Sequence, residues 1–384
     1  MNNSRAPLGD VKIIEFAGIG PAPFGSMILA GLGADVIRID RPPSLATPGG
    51  TDQFTSDAMD RDRRSIALDL KSPGAIAIVK RLISGSDGVI EGFRPGVMER
   101  LGLGPDVLLD LNPKLTFVRM TGWGQNGPLA QRAGHDLDYI AITGLLNAIG
   151  TKESAVIPLN LVGDFGGGGT MAAIGMLAGI LFARAGGKGS VVDAAIVDGV
   201  SLMGTMFQGL ISKNLWSGQR GENLLDGGAP FYSIYRCADD KDLAVASLEP
   251  KFFSELCSRL GLRGHPAFAE QYRRDTWPEM RAVLTEIFSK QRRDFFVELF
   301  DGADACVVPV NTFFEATQDR HMKERHAFED IGGTSHPRPA PRFDNFNPVI
   351  APAPFPGEQR DEILGELGYS AHEISAFEKS GAFG

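Results

Sequence analysis

Asp164 lies just ahead of a run of four glycines, Gly166–Gly169, and an apolar stretch of helical character, Thr170–Phe182, follows directly. This order predicts a helix that starts at the glycines, with a carboxylate set where backbone N–H groups lack partners and the helix dipole is positive. Glycines there let a substrate approach the backbone closely. Asp164 could exchange a proton at such a place, and the N–H groups of Gly166–Gly169 are candidate donors to an oxyanion. About thirty residues upstream, Gly134-His135-Asp136 supplies a second proton-transfer group, His135. Two such groups suit a device that takes a proton from one face of a carbon and returns it to the other. Taken singly, Asp164 reads equally as an N-cap and His135 as a satisfied core histidine.

The elements that must position these groups read as α/β. Val11–Phe16 is a buried strand, Pro23–Gly31 a helix and Ala34–Ile39 a second strand, the spacing of a parallel crossover. Helix Pro73–Ser84, strand Gly88–Glu91, helix Val97–Leu101 and strand Leu115–Met120 repeat the theme. A large domain with a parallel, Rossmann-like sheet follows. The loop Ala17–Pro23 lacks the full GxGxxG spacing of a dinucleotide site. After Asp198 the texture changes. We expect a large domain over 1–198, a linker helix over 199–225, a smaller α+β domain over 226–326, and a C-terminal segment, 327–384, returning to the large domain. In the smaller domain, Phe231–Arg236 and Leu243–Ala246 read as antiparallel strands, followed by helices at Pro250–Leu260, Trp277–Ser289 and Arg292–Phe300.

Composition narrows the function. A net charge of −9 over 384 residues argues against nucleic acid as a partner. Basic residues nevertheless gather at strand-end positions of the N-terminal half: Arg38, Arg61, Arg63, Arg64, Arg94 and Arg100. That is a local site for a small anion, since parallel sheets bind ligands at their strand-end loops. Cys237, Cys257 and Cys306 form no local pair, so a reducing, cytoplasmic setting is expected. HExxH and CxxC patterns are missing, and no metal is expected. Met1–Pro7 lacks the apolar core of a leader, and Thr170–Ala183 is too short to cross a bilayer, so no membrane association is expected.

Asp69-Leu70-Lys71, Gly92-Phe93-Arg94-Pro95-Gly96, Arg100-Leu101-Gly102, Thr121-Gly122-Trp123-Gly124-Gln125 and Gly134-His135-Asp136 resemble the family III coenzyme A transferase superfamily. Four further stretches, Leu159–Gly168, Leu225–Pro230, Glu249-Pro250-x-Phe252 and Asp304–Val310, resemble its racemase members, and the resemblance spans essentially the whole chain. It implies that Arg38, Leu68, Asp69, Leu70, Lys71, Gly92, Phe93, Arg94, Arg100, Gly134, Asp136, Leu137, Asp138 and Tyr139 hold coenzyme A. Arginine forks and lysine point charges suit its phosphates. It further implies that His135 and Asp164 are the two bases and that Glu249 orients His135, although Glu249 also reads as a helix-start carboxylate. The implied reaction inverts the α-carbon of 2-methyl-branched acyl-CoA thioesters through an enolate, with no cofactor beyond the CoA of the substrate. An interlocked homodimer is implied too. The alternative is a transferase on the same fold, with Asp136 as the nucleophile of an acyl anhydride. Leu202, Met203, Met206 and Phe207 could form an adaptable acyl surface, or simply helix core or a dimer contact.

Overall fold

A computed structural model describes residues 6–45 and 58–384. The first five residues, on which part of the leader reading rests, lie outside it. Two compact units emerge. The first contains the chain up to Thr143, then Pro158–Thr205 and Phe328–Gly384; the second contains Gly144–Ile157 and Met206–Ala327.

The first unit is built on six parallel strands: β1 (Lys12–Phe16), β2 (Asp35–Asp40), β3 (Arg64–Ala67), β4 (Gly88–Glu91), β5 (Thr116–Thr121) and β6 (Ser190–Ala195). Their spatial order is β3-β2-β1-β4-β5-β6. The order reverses between β1 and β4, so the loops leaving these two strands diverge and open a crevice at the carboxyl edge of the sheet. β1, β2, β4 and β5 are nearly continuous buried runs because helices cover both faces.

Helices α1 (Pro21–Gly31), α2 (Pro73–Ser84) and α4 (Pro105–Leu111) each begin at a proline, whose missing N–H is no loss in a first turn. α3 (Val97–Arg100) and α5 (Asp136–Ile142) follow β4 and β5 respectively. Ile78, Val79, Leu82 and Ile83 of α2 join Ile14, Ile37, Val89 and Phe117 of the sheet in one core. Ile363 and Leu364 belong to that core as well, so the C-terminal segment packs on the first unit. This segment comprises an antiparallel hairpin, β10 (Phe328–Ile331) with β11 (Thr334–Pro337), and helices α15 (Arg360–Glu366) and α16 (Ala371–Lys379).

Two expectations change here. The helix carrying the glycine run starts at Leu161, not at the glycines. Leu161–Gly169 is π-helical and runs without a break into α7 (Thr170–Arg184). The continuous segment is 24 residues long and apolar enough by length and composition to cross a membrane, so it is not too short to span a bilayer. What the fold shows is a helix lying against β5 and β6, with Ala172, Ala173, Met176, Gly179, Ile180 and Ala183 buried. Second, the linker expected as a helix over 199–225 is no single helix. α8 (Ile196–Met203) belongs to the first unit, and α9 (Thr205–Ser212) follows it.

The second unit contains α6 (Leu145–Ala148), the antiparallel strands β7 (Tyr232–Arg236), β8 (Asp242–Ala246) and β9 (Val307–Pro309), and helices α10 (Pro250–Arg259), α11 (Trp277–Ser289), α12 (Arg293–Phe300), α13 (Phe313–Gln318) and α14 (Arg320–Glu324). Phe231, Leu243, Leu256, Met280, Leu284, Phe288 and Phe296 form its core.

Candidate active site

α5 begins where the chain returns to the carboxyl edge of the sheet. His135 is its N-cap, extended and exposed, and its backbone N–H donates to the Asp138 carboxylate at 2.9 Å. Four residues after His135, Tyr139 folds back so that its hydroxyl donates to the Gly134 carbonyl, and its ring meets Trp123 edge-on at 4.7 Å. A Cβ at Gly122 would sit 1.9 Å from the Tyr139 ring, and one at Gly134 would sit 2.6 Å from it. The two glycines therefore hold the turn against an aromatic pair.

Asp136 is the buried member of this helix start. Its Oδ1 accepts the backbone N–H of Asp164 at 2.6 Å, and the neighbouring N–H of Gly163 also favours the charged carboxylate. These are orphan donors at the head of the π-helical segment, which Asp136 satisfies from a separate helix. A Cβ at Gly163 would lie 2.2 Å from the same oxygen, so only glycine fits there.

The remaining glycines have a different task from the one expected. A π-helix directs each N–H to the carbonyl five residues back. The N–H groups of Gly166–Gly169 are thus committed within the helix and offer no oxyanion donor set. A Cβ would meet Val200 at 2.6 Å from Gly167, Pro21 Cβ at 2.8 Å from Gly168, and the Pro21 carbonyl at 2.5 Å from Gly169. On α8, a Cβ at Gly199 would lie 1.9 Å from the Gly167 carbonyl oxygen. The run lets α1 and α8 approach the segment backbone to backbone.

The Asp164 carboxylate points toward the start of α1. Gly20, at φ 73°, comes so close that a Cβ would be 3.1 Å from Asp164 Oδ2. The side chain of Asn160, one turn back, donates to Oδ2 at 3.5 Å. Burial, then the Asp136 charge, push the Asp164 carboxyl up to about 6, against the opposing pull of Asn160 and His135. Tyr139 is pushed up to about 12 by burial and by Asp164, while Arg94 pulls the other way. His135, Asp136, Asp164 and Tyr139 therefore share one electrostatic site. Glu249 belongs to the second unit, where it is the exposed N-cap of α10 and makes no capping hydrogen bond with its side chain.

The expected anion ligands divide sharply. Arg38 is buried and holds Asp40 at 3.0 Å and Asp60 at 2.8 Å. Its charge is already answered. Lys71 and Arg94, in the loops after β3 and β4, and Arg100, on α3, are exposed and make no ion pair among the described residues. Gly92 is exposed, Asp69, Leu70 and Phe93 are half-buried, and Leu68 belongs to the core. Leu137 and Asp138 are exposed on the first turn of α5. Arg41, directly after β2, is a further exposed cation on this edge, without an ion pair among the described residues, that the sequence reading passed over. The signal was there: it follows a strand end, as Lys71 does. Asn160 was missed as well, although four-residue spacing from Asp164 on a helix makes neighbours.

Residues 8–360 match the family described as CoA-transferase family III. Human alpha-methylacyl-CoA racemase is 40% identical over 375 residues, covering 96% of this chain and 95% of the human protein. Human succinyl-CoA:glutarate CoA-transferase is 27% identical over 391 residues, covering 96% of this chain and 87% of that protein. A crystal structure of a CAIB/BAIF family protein from Brucella suis superposes with a TM-score of 0.79 at 25% identity, over 94% of this chain and all of that one. The chain belongs to CoA-transferase family III.

Proposed function

We propose that the protein is an enzyme that inverts the α-carbon of 2-methylacyl-CoA thioesters, with His135 and Asp164 as opposed proton-transfer groups. The observation that carries this reading is the Asp164 carboxyl, pushed up to about 6 beside His135 with no guanidinium paired to it among the described residues. An acid in that range can give and take a proton near neutral pH, which inversion requires in both directions. The 40% identity to human alpha-methylacyl-CoA racemase supports the same choice. Proton removal next to a thioester gives an enolate, which one group forms and the other reprotonates from the opposite face. Glu249 is proposed to orient His135. No cofactor is needed, because CoA arrives with the substrate, and a cytoplasmic setting suits this chemistry.

Lys71, Arg94, Arg100 and Arg41, which make no ion pair among the described residues, are proposed to meet CoA phosphates, with Gly92, Phe93 and the Gly134–Tyr139 turn beside them. Arg38 contributes from beneath, through the carboxylates it holds. A homodimer accounts for the apolar side chains left exposed on the first unit. Leu161 (56%), Leu181 (68%), Phe182 (58%) and Leu202 (61%) are too open for an isolated surface. Incubation with a single enantiomer of a 2-methylacyl-CoA in heavy water tests the reading. Deuterium at the α-carbon together with loss of optical purity, in the absence of any acceptor acid, is expected. An absolute requirement for a second carboxylic acid would favour the transferase instead.

A further inference from the structure

The residue that the transferase alternative makes a nucleophile has another task in this fold. We propose that Asp136 is a positioning residue that works through Asp164: its carboxylate caps the head of the π-helical segment and sets a fixed negative charge beside the proton-transferring acid. The inference rests on the reading of Asp164 as one of the two proton-transfer groups.

Three observations carry it. Asp136 Oδ1 is only 2.6 Å from the Asp164 backbone nitrogen, so it fixes the main chain of the residue that bears the acid. Gly163 leaves no room for anything else between them. Asp136 is 9% exposed and its Oδ2 is buried without a hydrogen-bond partner among the described residues, which is poor access for a nucleophile that must reach a thioester carbonyl. The unpartnered oxygen keeps its charge local, where it opposes ionisation of Asp164.

The other elements around Asp164 supply no competing charge. α1 contains no titratable residue. On α8 the one acid, Asp198, is exposed. Arg119 of β5 is taken up by Glu91 and Glu99, Asp193 of β6 accepts the Gln125 N–H, and Arg184 at the far end of α7 pairs with Asp10 and Asp87. His135 acts on Asp164 directly, and Tyr139 shares the site, where the exposed Asp138 and Arg94 also act on it.

Asp136→Asn and Asp136→Ala separate the two parts of this role. Asparagine keeps an oxygen for the helix-head N–H groups but loses the charge, whereas alanine loses both. The first readout needs no activity: carbodiimide labelling of Asp164 against pH, measured by peptide mass spectrometry. Its midpoint should fall by roughly one pH unit in Asp136→Asn. The second is the pH profile of α-deuterium incorporation, whose acid limb should move to lower pH by the same amount. At the optimum, Asp136→Ala should be at least about tenfold slower than Asp136→Asn, because it has lost the cap as well. An unmoved labelling midpoint, equal rates in the two variants, or a hydroxylamine-trapped acyl group on Asp136 overturns the proposal. Absence of deuterium incorporation by the unmodified enzyme would instead reject the racemase reading, and the labelling midpoint would still decide the role of Asp136.

Discussion

Two clusters of acids in the first unit follow opposite plans. Beneath the carboxyl edge of the sheet, Glu15, Asp40 and Asp60 share two guanidiniums. Arg38 holds Asp40 and Asp60, while Arg63 approaches Glu15 at 3.2 Å and Asp60 at 3.1 Å and also donates to the Pro23 and Met59 carbonyls. At the head of the π-helical segment, Asp136 and Asp164 meet with a histidine nearby and, among the described residues, no guanidinium paired to either. The first cluster ties β1, β2 and β3 to the start of α1, and its charges are locked in place. The second leaves an acid whose proton can move. In a chain where most acids are paired, it is the missing partner that marks chemistry.

That contrast can be broken by experiment, most sharply at the unpaired cluster. His135→Ala or Asp164→Ala should slow inversion by roughly 10²–10⁴-fold, and the double variant should be hardly slower than either, because the two act as a unit. Each single variant should still exchange the α-proton of one enantiomer with solvent, a different one in each case. Equal exchange of both enantiomers by both variants would mean that one base does all the work.

At the paired cluster the expected damage is to folding. Arg63→Met strands buried carboxylates and should lower unfolding stability by about 3–5 kcal/mol in urea titration. A change below about 1 kcal/mol would show that the network has no structural weight. Arg38→Ala should likewise be read first in stability. A smaller effect is expected at the exposed cations. Lys71→Ala and Arg94→Ala should each weaken CoA-ester binding by about three- to tenfold, more at low ionic strength, by calorimetry at two salt concentrations. Salt-independent affinity would place the phosphates elsewhere.

The smallest effect concerns pH. With all groups ionised, three acids face two guanidiniums, and burial raises the Glu15 carboxyl to about 7 despite Arg63 and Arg38. The folded state therefore binds a proton that the unfolded chain, with an ordinary carboxyl near 4.5, releases. This stabilising contribution is complete below about 4.5 and is lost as pH rises through about 7. Glu15→Gln, which imitates the protonated form, should flatten the fall in urea midpoint across that interval. An unchanged slope would show that Glu15 does not take up the proton.

Much of the fold was legible because its punctuation is local. Helix Pro73–Ser84 opens on a proline and closes at Gly85, and strand Gly88–Glu91 follows as a short apolar run. β3 and β6 escaped notice for physical reasons. Arg64–Ala67 is only four residues long and begins with a charge, and Ser190–Ala195 is an edge strand that alternates exposed and half-buried residues before its end. The π-helical start was misread because a glycine run has poor helix propensity and is held as a helix here by α1 and α8. His135 and Asp164 could be picked out from residue type and setting, but the bond from Asp136 to the Asp164 N–H joins positions 28 residues apart and carries no local signal. The pairing of Arg38 was hidden for the same reason. Its partner Asp60 is brought in by tertiary structure, and a strand-end arginine looks alike in sequence whether it is free or claimed.

The backbone contact between Gly167 and Gly199 has a mechanical consequence. Where two helices meet through side chains, rotamer changes absorb small displacements and each helix shifts somewhat independently of the other. Here a carbonyl oxygen sits where the first atom of a side chain would be, and no such compliant layer exists. A push on α8 passes undamped into the segment that carries Asp164. Leu202 of α8 is exposed, so whatever rests on it bears directly on the alignment of the acid.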